Sequence, residues 1–141
     1  MDTFSEEKRA LVMSRIRGKD TKPEMLLRSE LFKKGLRYRV HVKKLSGKPD
    51  IVFTKYKLVI FVHGCFWHLH PSCREGRLPK TKLDYWAPKL LRNVERDTAH
   101  VQELTKAGWT VLTFWECEIE SSLKNAVKHI IRQLNKRGYR K

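Results

Sequence analysis

Potential metal ligands are concentrated in one short stretch, residues 61–73, which reads FVHGCFWHLHPSC. It holds three of the six histidines and two of the three cysteines in the chain. Thiolate and imidazole groups are the donors that zinc prefers, and a structural zinc site needs four of them. We therefore interpret Cys65, His70 and Cys73 as three zinc ligands, and the remaining cysteine, Cys117, as the fourth. The alternative is three reduced cysteines that are not connected through a metal ion.

A carboxylate is predicted to lie beside this stretch. Residues 49–53 read PDIVF and residues 58–62 read LVIFV, so two β-rich runs are joined by only four residues. Strands joined by so short a turn pair as an antiparallel hairpin. Asp50, at the start of the first run, then comes next to Val62 and His63 at the end of the second. A carboxylate at a strand end in a basic chain suggests a hard-cation site for phosphate chemistry; the alternative is an ordinary turn aspartate.

The remaining segments predict the elements that hold these residues. Apolar residues recur at helical spacing in four segments: residues 5–17, 21–34, 81–107 and 120–136. Alternating or β-branched residues predict four strands: residues 36–42, 49–53, 58–62 and 109–115. This mixture predicts an α/β domain in which the last strand delivers Cys117, while Pro88 kinks or restarts the third helix. Glu24 completes a capping box at the start of the second helix, although a carboxylate there could also face an active site.

The overall charge points to a polyanionic partner. Thirty-one Lys and Arg against fifteen Asp and Glu leave a formal charge of +16, and nucleic acid is the default polyanion. An anionic membrane surface ranks lower because no long apolar run or lipid-binding helix stands out. With 141 residues the chain fits a basic N-terminal arm, residues 1–18, and a single domain, residues 19–141. An odd number of cysteines suits a reducing cytoplasm.

Five motifs, in this order and at these separations, resemble those of the very short patch repair DNA mismatch endonucleases. They are DTKPE (residues 20–24), GKPD (47–50), HGCFWH (63–68), NVERD (93–97) and WEC (115–117). The resemblance implies a restriction-endonuclease-like α/β/α sandwich with a central mixed sheet and a structural zinc. It also implies a Mg²⁺-dependent nick 5′ to the thymine of a T·G mismatch in double-stranded DNA.

The resemblance also assigns roles to individual residues. Asp50 and the backbone carbonyl of Val62 match the magnesium ligands, His68 the histidine that activates water, and His63 one that assists at the phosphate. Glu24 matches a carboxylate of the surrounding water network. The zinc ligands of the family correspond to Cys65, His70, Cys73 and Cys117. The aromatic residues that wedge between base pairs correspond to Phe66, Trp67 and Trp86.

Two other functions remain open from the sequence. One is a restriction or structure-specific nuclease of the same fold with another target, since the motifs encode chemistry and scaffold more than base choice. The other is a zinc-stabilised DNA-binding module without catalysis, which would not need Asp50, His63 and His68 together. For the mismatch endonuclease and for both alternatives, we expect a monomer in the cytoplasm, associated with the nucleoid and not with membranes. Mismatch-repair proteins are further expected partners.

Overall fold

The structure is a computed structural model that describes residues 21–66, 68–70 and 82–139. The predicted arm over residues 1–18 lies outside the described residues, as do Trp67 and Cys73. No helix in the described ranges is both long enough and apolar enough to span a membrane. In chain order, the described elements are α1 (Lys22–Lys33), β1 (Arg39–Val40), β2 (Ile51–Phe53), a 3₁₀ turn (Thr54–Tyr56), β3 (Leu58–His63), α2 (Leu83–Lys106), β4 (Thr110–Trp115), α3 (Glu116–Ser121) and α4 (Leu123–Lys136).

The strands form one mixed sheet in the order β1-β2-β3-β4. The predicted hairpin is confirmed, since β2 pairs with β3 antiparallel and Ile51 lies opposite Ile60. Its tight turn is completed by Lys57, which adopts a left-handed backbone conformation with φ of +50°. β3 and β4 run parallel, with His63 opposite Trp115 at their carboxyl ends. The residues that follow these two strands therefore emerge side by side at one edge of the sheet.

Helices cover both faces of the sheet, and side-chain alternation along each strand decides which face a residue reaches. On one face Ile51, Phe53, Leu58 and Ile60 pack with Leu27 and Leu31 of α1 and with residues of α3 and α4. On the other face Val52, Val59 and Phe61 pack with Leu104 of α2. His63 continues the alternation of Val59 and Phe61, so its side chain belongs on the face that α2 covers.

Several boundaries differ from the sequence-based expectation. The strand predicted at 36–42 is paired only at Arg39–Val40, and both residues are exposed. The helix expected at 120–136 is two helices, α3 and α4, separated at Ser122. α2 continues through Pro88, which lies in its second turn, where a proline costs one backbone hydrogen bond without ending the helix. Thr21 makes no side-chain cap hydrogen bond, so its half of the predicted capping box is missing.

Candidate active site

A cleft of about 200 Å³ opens where the hairpin, the end of β3 and α2 meet. Three of the predicted catalytic residues, Asp50, His63 and His68, line this cleft together with Val62. The other residues that line it are Gly47, Lys48, Phe61, Asp97, His100 and Val101. The hairpin and the turn after β3 therefore bring these predicted residues to one place, although they are up to eighteen positions apart in the sequence.

Asp50 is held at the start of β2 by the neighbouring strand. The backbone N–H of Val62 donates to Asp50 Oδ2 at 2.7 Å, so the two predicted metal-binding residues are in contact. The pKa of Asp50 is raised from 3.8 to about 7, mainly because the carboxyl group is buried; the Val62 hydrogen bond opposes this rise, and the charge of Glu24 adds to it. A carboxylate that is costly to ionise on its own is stabilised as an anion when a cation binds beside it.

Glu24 reaches the same region from α1. Its side chain is 1 % exposed, and Oε2 accepts from Arg28 Nη1 at 2.8 Å and lies 2.9 Å from His41 Nε2. His41 Nδ1 is 3.9 Å from Asp50 Oδ1, so His41 lies between the two carboxylates. His41 has a φ of +50°, an unfavourable conformation for a residue with a β-carbon. The sequence alternation placed His41 on the outer face of a strand, and that prediction was wrong.

His63 and His68 stack on one another beside Asp97 of α2. Their ring centroids are 3.9 Å apart and the rings are nearly parallel, at 6°. His68 Nδ1 is hydrogen-bonded to Asp97 Oδ2, and His63 Nε2 lies 4.0 Å from Asp97 Oδ1. Because an ionised carboxylate only accepts, His68 carries a proton on Nδ1 and directs its other nitrogen, Nε2, elsewhere. A histidine oriented in this way can accept a proton from water at Nε2.

The second imidazole of the stack is kept neutral. The pKa of His63 is lowered from 6.5 to about 4, mainly because the ring is buried; positive charge on His68 contributes to the lowering, and Asp97 opposes it. Within the described part of the chain, Nδ1 of His63 is buried and has no hydrogen-bond partner. A buried nitrogen without a partner destabilises a fold, so stability alone does not account for a histidine at this position.

Three of the four predicted zinc ligands lie together at the carboxyl ends of the parallel strands. Cys65 comes two residues after β3, and Cys117 comes two residues after β4. The register that places His63 opposite Trp115 therefore also brings the two thiols together. His70 Nδ1 lies 3.6 Å from Cys65 Sγ and 3.4 Å from Cys117 Sγ, and its ring stacks on Trp115 at 4.2 Å.

The donor atoms of these clusters fit the two metals that the resemblance implies. Cys65, His70 and Cys117 offer two sulfur atoms and one nitrogen within 4.8 Å of one another, a donor set that suits zinc. Glu24, His41 and Asp50 form a second group of this kind, in which two carboxylates supply the oxygen atoms that Mg²⁺ prefers. The contact of Val62 with Asp50 is through its amide N–H, so the use of its carbonyl as a metal ligand stays a prediction.

Comparison with known proteins identifies the family. The family model described as DNA mismatch endonuclease Vsr matches residues 1–75. The DNA mismatch endonuclease Vsr of Escherichia coli K12 is 40 % identical over 123 residues, which is 87 % of this chain and 78 % of the relative. The chain belongs to the Vsr family. It is therefore a hydrolase that cleaves DNA internally, and the alternative of a non-catalytic DNA-binding module is excluded.

Other Vsr relatives carry the name of nicking enzymes. The Type II nicking enzyme V.NmeAIP of Neisseria meningitidis serogroup A is 44 % identical over 135 residues, covering 94 % of this chain and 96 % of the relative. The Type II nicking enzyme V.XorIIP of Xanthomonas oryzae is 49 % identical over 118 residues, covering 84 % of this chain and 86 % of the relative. An aligned segment that covers 94 % of this chain spans the Asp50 hairpin, the histidine pair and Cys117.

Two of the three aromatic residues that the resemblance places between base pairs, Phe66 and Trp86, pack against each other. Phe66 is 8 % exposed and Trp86 is 7 % exposed, and their rings meet edge to face at 5.2 Å. They form a small cluster with Leu90. Insertion of either ring between base pairs would require it to leave this cluster, so the intercalating role of Phe66, Trp67 and Trp86 stays a prediction.

Sequence reasoning did not assign a role to several residues of the site, Asp97 and His41 among them. Asp97 lies in the NVERD motif that supported the family resemblance, and its position on the inner side of α2 was the signal that could have identified it. His41 carried no such signal, because its left-handed backbone conformation breaks the strand alternation from which its direction was inferred.

Proposed function

We propose that this Vsr-family protein is a Mg²⁺-dependent nicking endonuclease that cuts one strand of double-stranded DNA 5′ to the thymine of a T·G mismatch. The observation that carries the proposal is the cleft shared by Asp50, His63 and His68. It combines a carboxylate for a hard cation with an oriented imidazole, the two groups that metal-assisted phosphodiester hydrolysis needs. A restriction-endonuclease-like fold is part of the proposal, supported by the mixed sheet with helices on both faces.

Asp50 and the carbonyl of Val62 would hold the magnesium ion, with Glu24 nearby. When bound, the ion neutralises charge on the scissile phosphate and orients the attacking water. The protein prepares this site by burying Asp50, whose carboxylate then gains more from a bound cation than an exposed carboxylate would. Arg28 balances the charge of Glu24, and His41 Nε2 lies 2.9 Å from the same carboxylate oxygen, so that two carboxylates can lie close together before any cation binds.

His68 would accept the proton of the attacking water at Nε2. Asp97 fixes the required tautomer through Nδ1 and stabilises the imidazolium that forms. His63, whose pKa is about 4, stays neutral and therefore does not repel the positive charge that develops on the stacked His68 ring. We assign His63 an assisting role at the phosphate. Ordinary nucleases of the restriction-endonuclease-like fold have E-x-K on the strand after their PD motif, and in this chain Phe61, Val62 and His63 take that place, so His63 stands where those nucleases have lysine.

The second metal would be structural. Cys65, His70 and Cys117, completed by Cys73, would bind a zinc ion with no open coordination position, so zinc would not take part in hydrolysis. Its effect would be to tie the turn after β3 to the end of β4. That turn carries His68, and fixing it directs His68 toward Asp97 and the cleft.

DNA recognition would combine charge with stacking. The net charge of +16 favours association with the phosphate backbone. The aromatic residues Phe66, Trp67 and Trp86 would insert next to the mismatch, where unstacking costs less than in a perfect duplex. We propose that the protein acts as a monomer in the cytoplasm, on nucleoid DNA, and that mismatch-repair proteins are its partners.

A nicking assay tests the proposal. Duplexes that each carry one mismatch, with flanking bases varied, are incubated with the protein in Mg²⁺ or in EDTA, and each labelled strand is analysed for its cut position. We expect one nick 5′ to the thymine of T·G, no nick in EDTA, and no nick in a matched duplex. Equal cutting of all mismatches, or cutting of a matched sequence, would contradict the T·G assignment while leaving the endonuclease activity intact.

A further inference from the structure

Another cluster, which has no role in the proposed mechanism, connects the loop that carries Asp50 to α2. This loop, residues 46–50, reads SGKPD and is called the 46–50 loop below. Ser46 Oγ lies 2.9 Å from His100 Nδ1 and 2.5 Å from Glu103 Oε2. His100 and Glu103 are three residues apart on α2, so both side chains lie on the side of the helix that faces the loop.

The hydroxyl of Ser46 can donate only one hydrogen, and this determines that Nδ1 of His100 is a donor. An ionised Glu103 carboxylate can only accept, so the Ser46 hydrogen goes to Glu103. Ser46 Oγ must then accept a hydrogen bond from His100, which carries its proton on Nδ1. The cluster is a directed chain of two hydrogen bonds, from His100 through Ser46 to Glu103.

Shape complementarity adds to these hydrogen bonds. Gly47 has a φ of +76°, and a β-carbon placed on it would lie 2.7 Å from Cγ of His100. The loop backbone therefore lies directly against the imidazole ring, at a distance that only glycine allows. At its other end the loop is held by the sheet, where the backbone N–H of His41 donates to the Asp50 carbonyl at 3.2 Å.

The position of this cluster relates it to the reaction. His100 comes one helical turn after Asp97, the residue that orients His68, and both line the cleft. The 46–50 loop connects this helix to Asp50, the proposed magnesium ligand. The cluster therefore helps to set the distance between the metal carboxylate on the loop and the imidazole pair beside α2.

We propose that His100 is a positioning residue, which acts through Ser46 and Gly47 to hold Asp50 in register with His68 and Asp97. The inference rests on the proposed metal-dependent nicking but not on the T·G target. Ser46 and His100 are partly exposed and Glu103 is exposed, so the hydrogen bonds add little to global stability. Loss of the cluster should therefore change the rate of the chemical step more than it changes folding.

Two substitutions of His100 test the roles of its two ring nitrogens separately. In His100→Asn the amide nitrogen takes approximately the place of Nδ1 and can still donate to Ser46, whereas in His100→Gln it takes approximately the place of Nε2. We expect His100→Gln to lower kcat about tenfold or more and to raise the Mg²⁺ concentration needed for half-maximal rate, since small misplacements of reacting groups are costly. His100→Asn should stay within about threefold of wild type. DNA affinity in EDTA should be equal for all three proteins.

Controls distinguish the inference from trivial effects. His129→Gln, on α4 at the opposite face of the sheet, makes the same chemical change and should leave kcat unchanged. Thermal unfolding of each variant shows whether the fold is kept. Ser46→Ala should mimic His100→Gln, and the double variant should be no slower than Ser46→Ala alone because both remove the same hydrogen bond.

The inference fails if both His100 variants keep wild-type kcat, or if both lose it equally. It also fails if the order is reversed, since a slow His100→Asn beside a normal His100→Gln would mean that Nε2 acts in the cleft. Wild-type protein assayed in parallel separates this result from the proposed function. If the wild-type protein nicks no duplex in Mg²⁺, the proposed function has failed. If the wild-type protein nicks and both His100 variants have the same kcat as wild type, only the role of His100 is refuted.

Discussion

Two clusters of side chains begin in the same short segment, residues 63–70, and differ in the chemistry of their donor atoms. His63 and His68 are five residues apart and join Asp97 of α2, while Cys65 and His70 are also five residues apart and join Cys117 after β4. In both clusters the donor atoms lie within 4.8 Å of one another. The first opens on a cleft and contains a carboxylate, whereas the second contains two thiols and an imidazole stacked on Trp115.

The backbone explains why the two pairs have the same spacing. After β3 the chain turns back on itself, with hydrogen bonds from His68 N to Gly64 O at 3.2 Å and from His70 N to Cys65 O at 3.0 Å. This turn brings residues five apart next to each other, and the two pairs diverge to α2 and to β4. One turn therefore serves both sites. Because the proposed zinc would tie this turn to the end of β4, loss of a thiol should also disturb His68. The histidine pair does not hold the turn in this way, so its substitution should leave the thiols in place.

The largest expected effect is at Asp50. Asp50→Asn keeps the size of the side chain and removes the charge that would hold Mg²⁺, so we expect nicking to fall about 10³-fold or more. Affinity for uncut duplex in EDTA should change little, because the basic surface is intact. Single-turnover nicking and a gel-shift assay measure the two quantities. The matched control is Asp84→Asn on the exposed first turn of α2, and nicking by Asp50→Asn at the control rate would remove Asp50 from the mechanism.

Loss of a ligand from the thiol cluster should lower the stability of the fold more than the rate of hydrolysis by the folded protein. Cys117→Ser replaces a thiolate by a poor zinc ligand, and we expect lower zinc content together with a loss of several kcal/mol, or about 10 °C in Tm. Zinc content is measured by elemental analysis and Tm by calorimetry. Nicking should fall in proportion to the folded fraction, with a further loss from a looser His68. An unchanged zinc content would exclude Cys117 as a ligand.

The histidine pair should show the reverse pattern. In Asp97→Asn the amide can donate to His68 Nδ1, which favours the tautomer with its proton on Nε2 and removes the acceptor that water needs. We expect kcat to fall about 10²-fold, with zinc content and Tm near those of wild type. Adding His68→Ala to this variant should cost little more, because the two residues act as a unit. Full additivity of the two losses would show that Asp97 works independently of His68.

Much of this arrangement could be predicted from the sequence because it depends on local pattern. The apolar run of β3 and the short turn before it predicted the hairpin, and the hairpin placed Asp50 beside Val62. The position of Cys117 directly after a strand predicted its approach to Cys65, although the parallel register that makes the contact follows only from the packed sheet.

The parts that were missed depend on backbone conformation and on distant side chains. His41 points toward Glu24 because its φ is positive, a feature that residue type did not indicate. The break between α3 and α4 at Ser122 was missed because the apolar spacing continues across it. His100 joins the site through Ser46, fifty-four positions earlier in the chain, and no local pattern connects them.

The smallest predicted effect concerns the competition between protons and Mg²⁺ at Asp50. Burial raises the pKa of Asp50 to about 7, so below that pH the free protein must lose a proton to bind the cation. Apparent Mg²⁺ affinity should fall by up to about tenfold per pH unit below pH 7 and level off above it. Because the charge of Glu24 contributes to the raised pKa, Glu24→Gln should move this transition to lower pH. Calorimetric titration with Mg²⁺ from pH 5.5 to 8.5 measures it, and an affinity independent of pH, or a midpoint that Glu24→Gln leaves unchanged, would show that the buried carboxylate is not the group that Mg²⁺ meets.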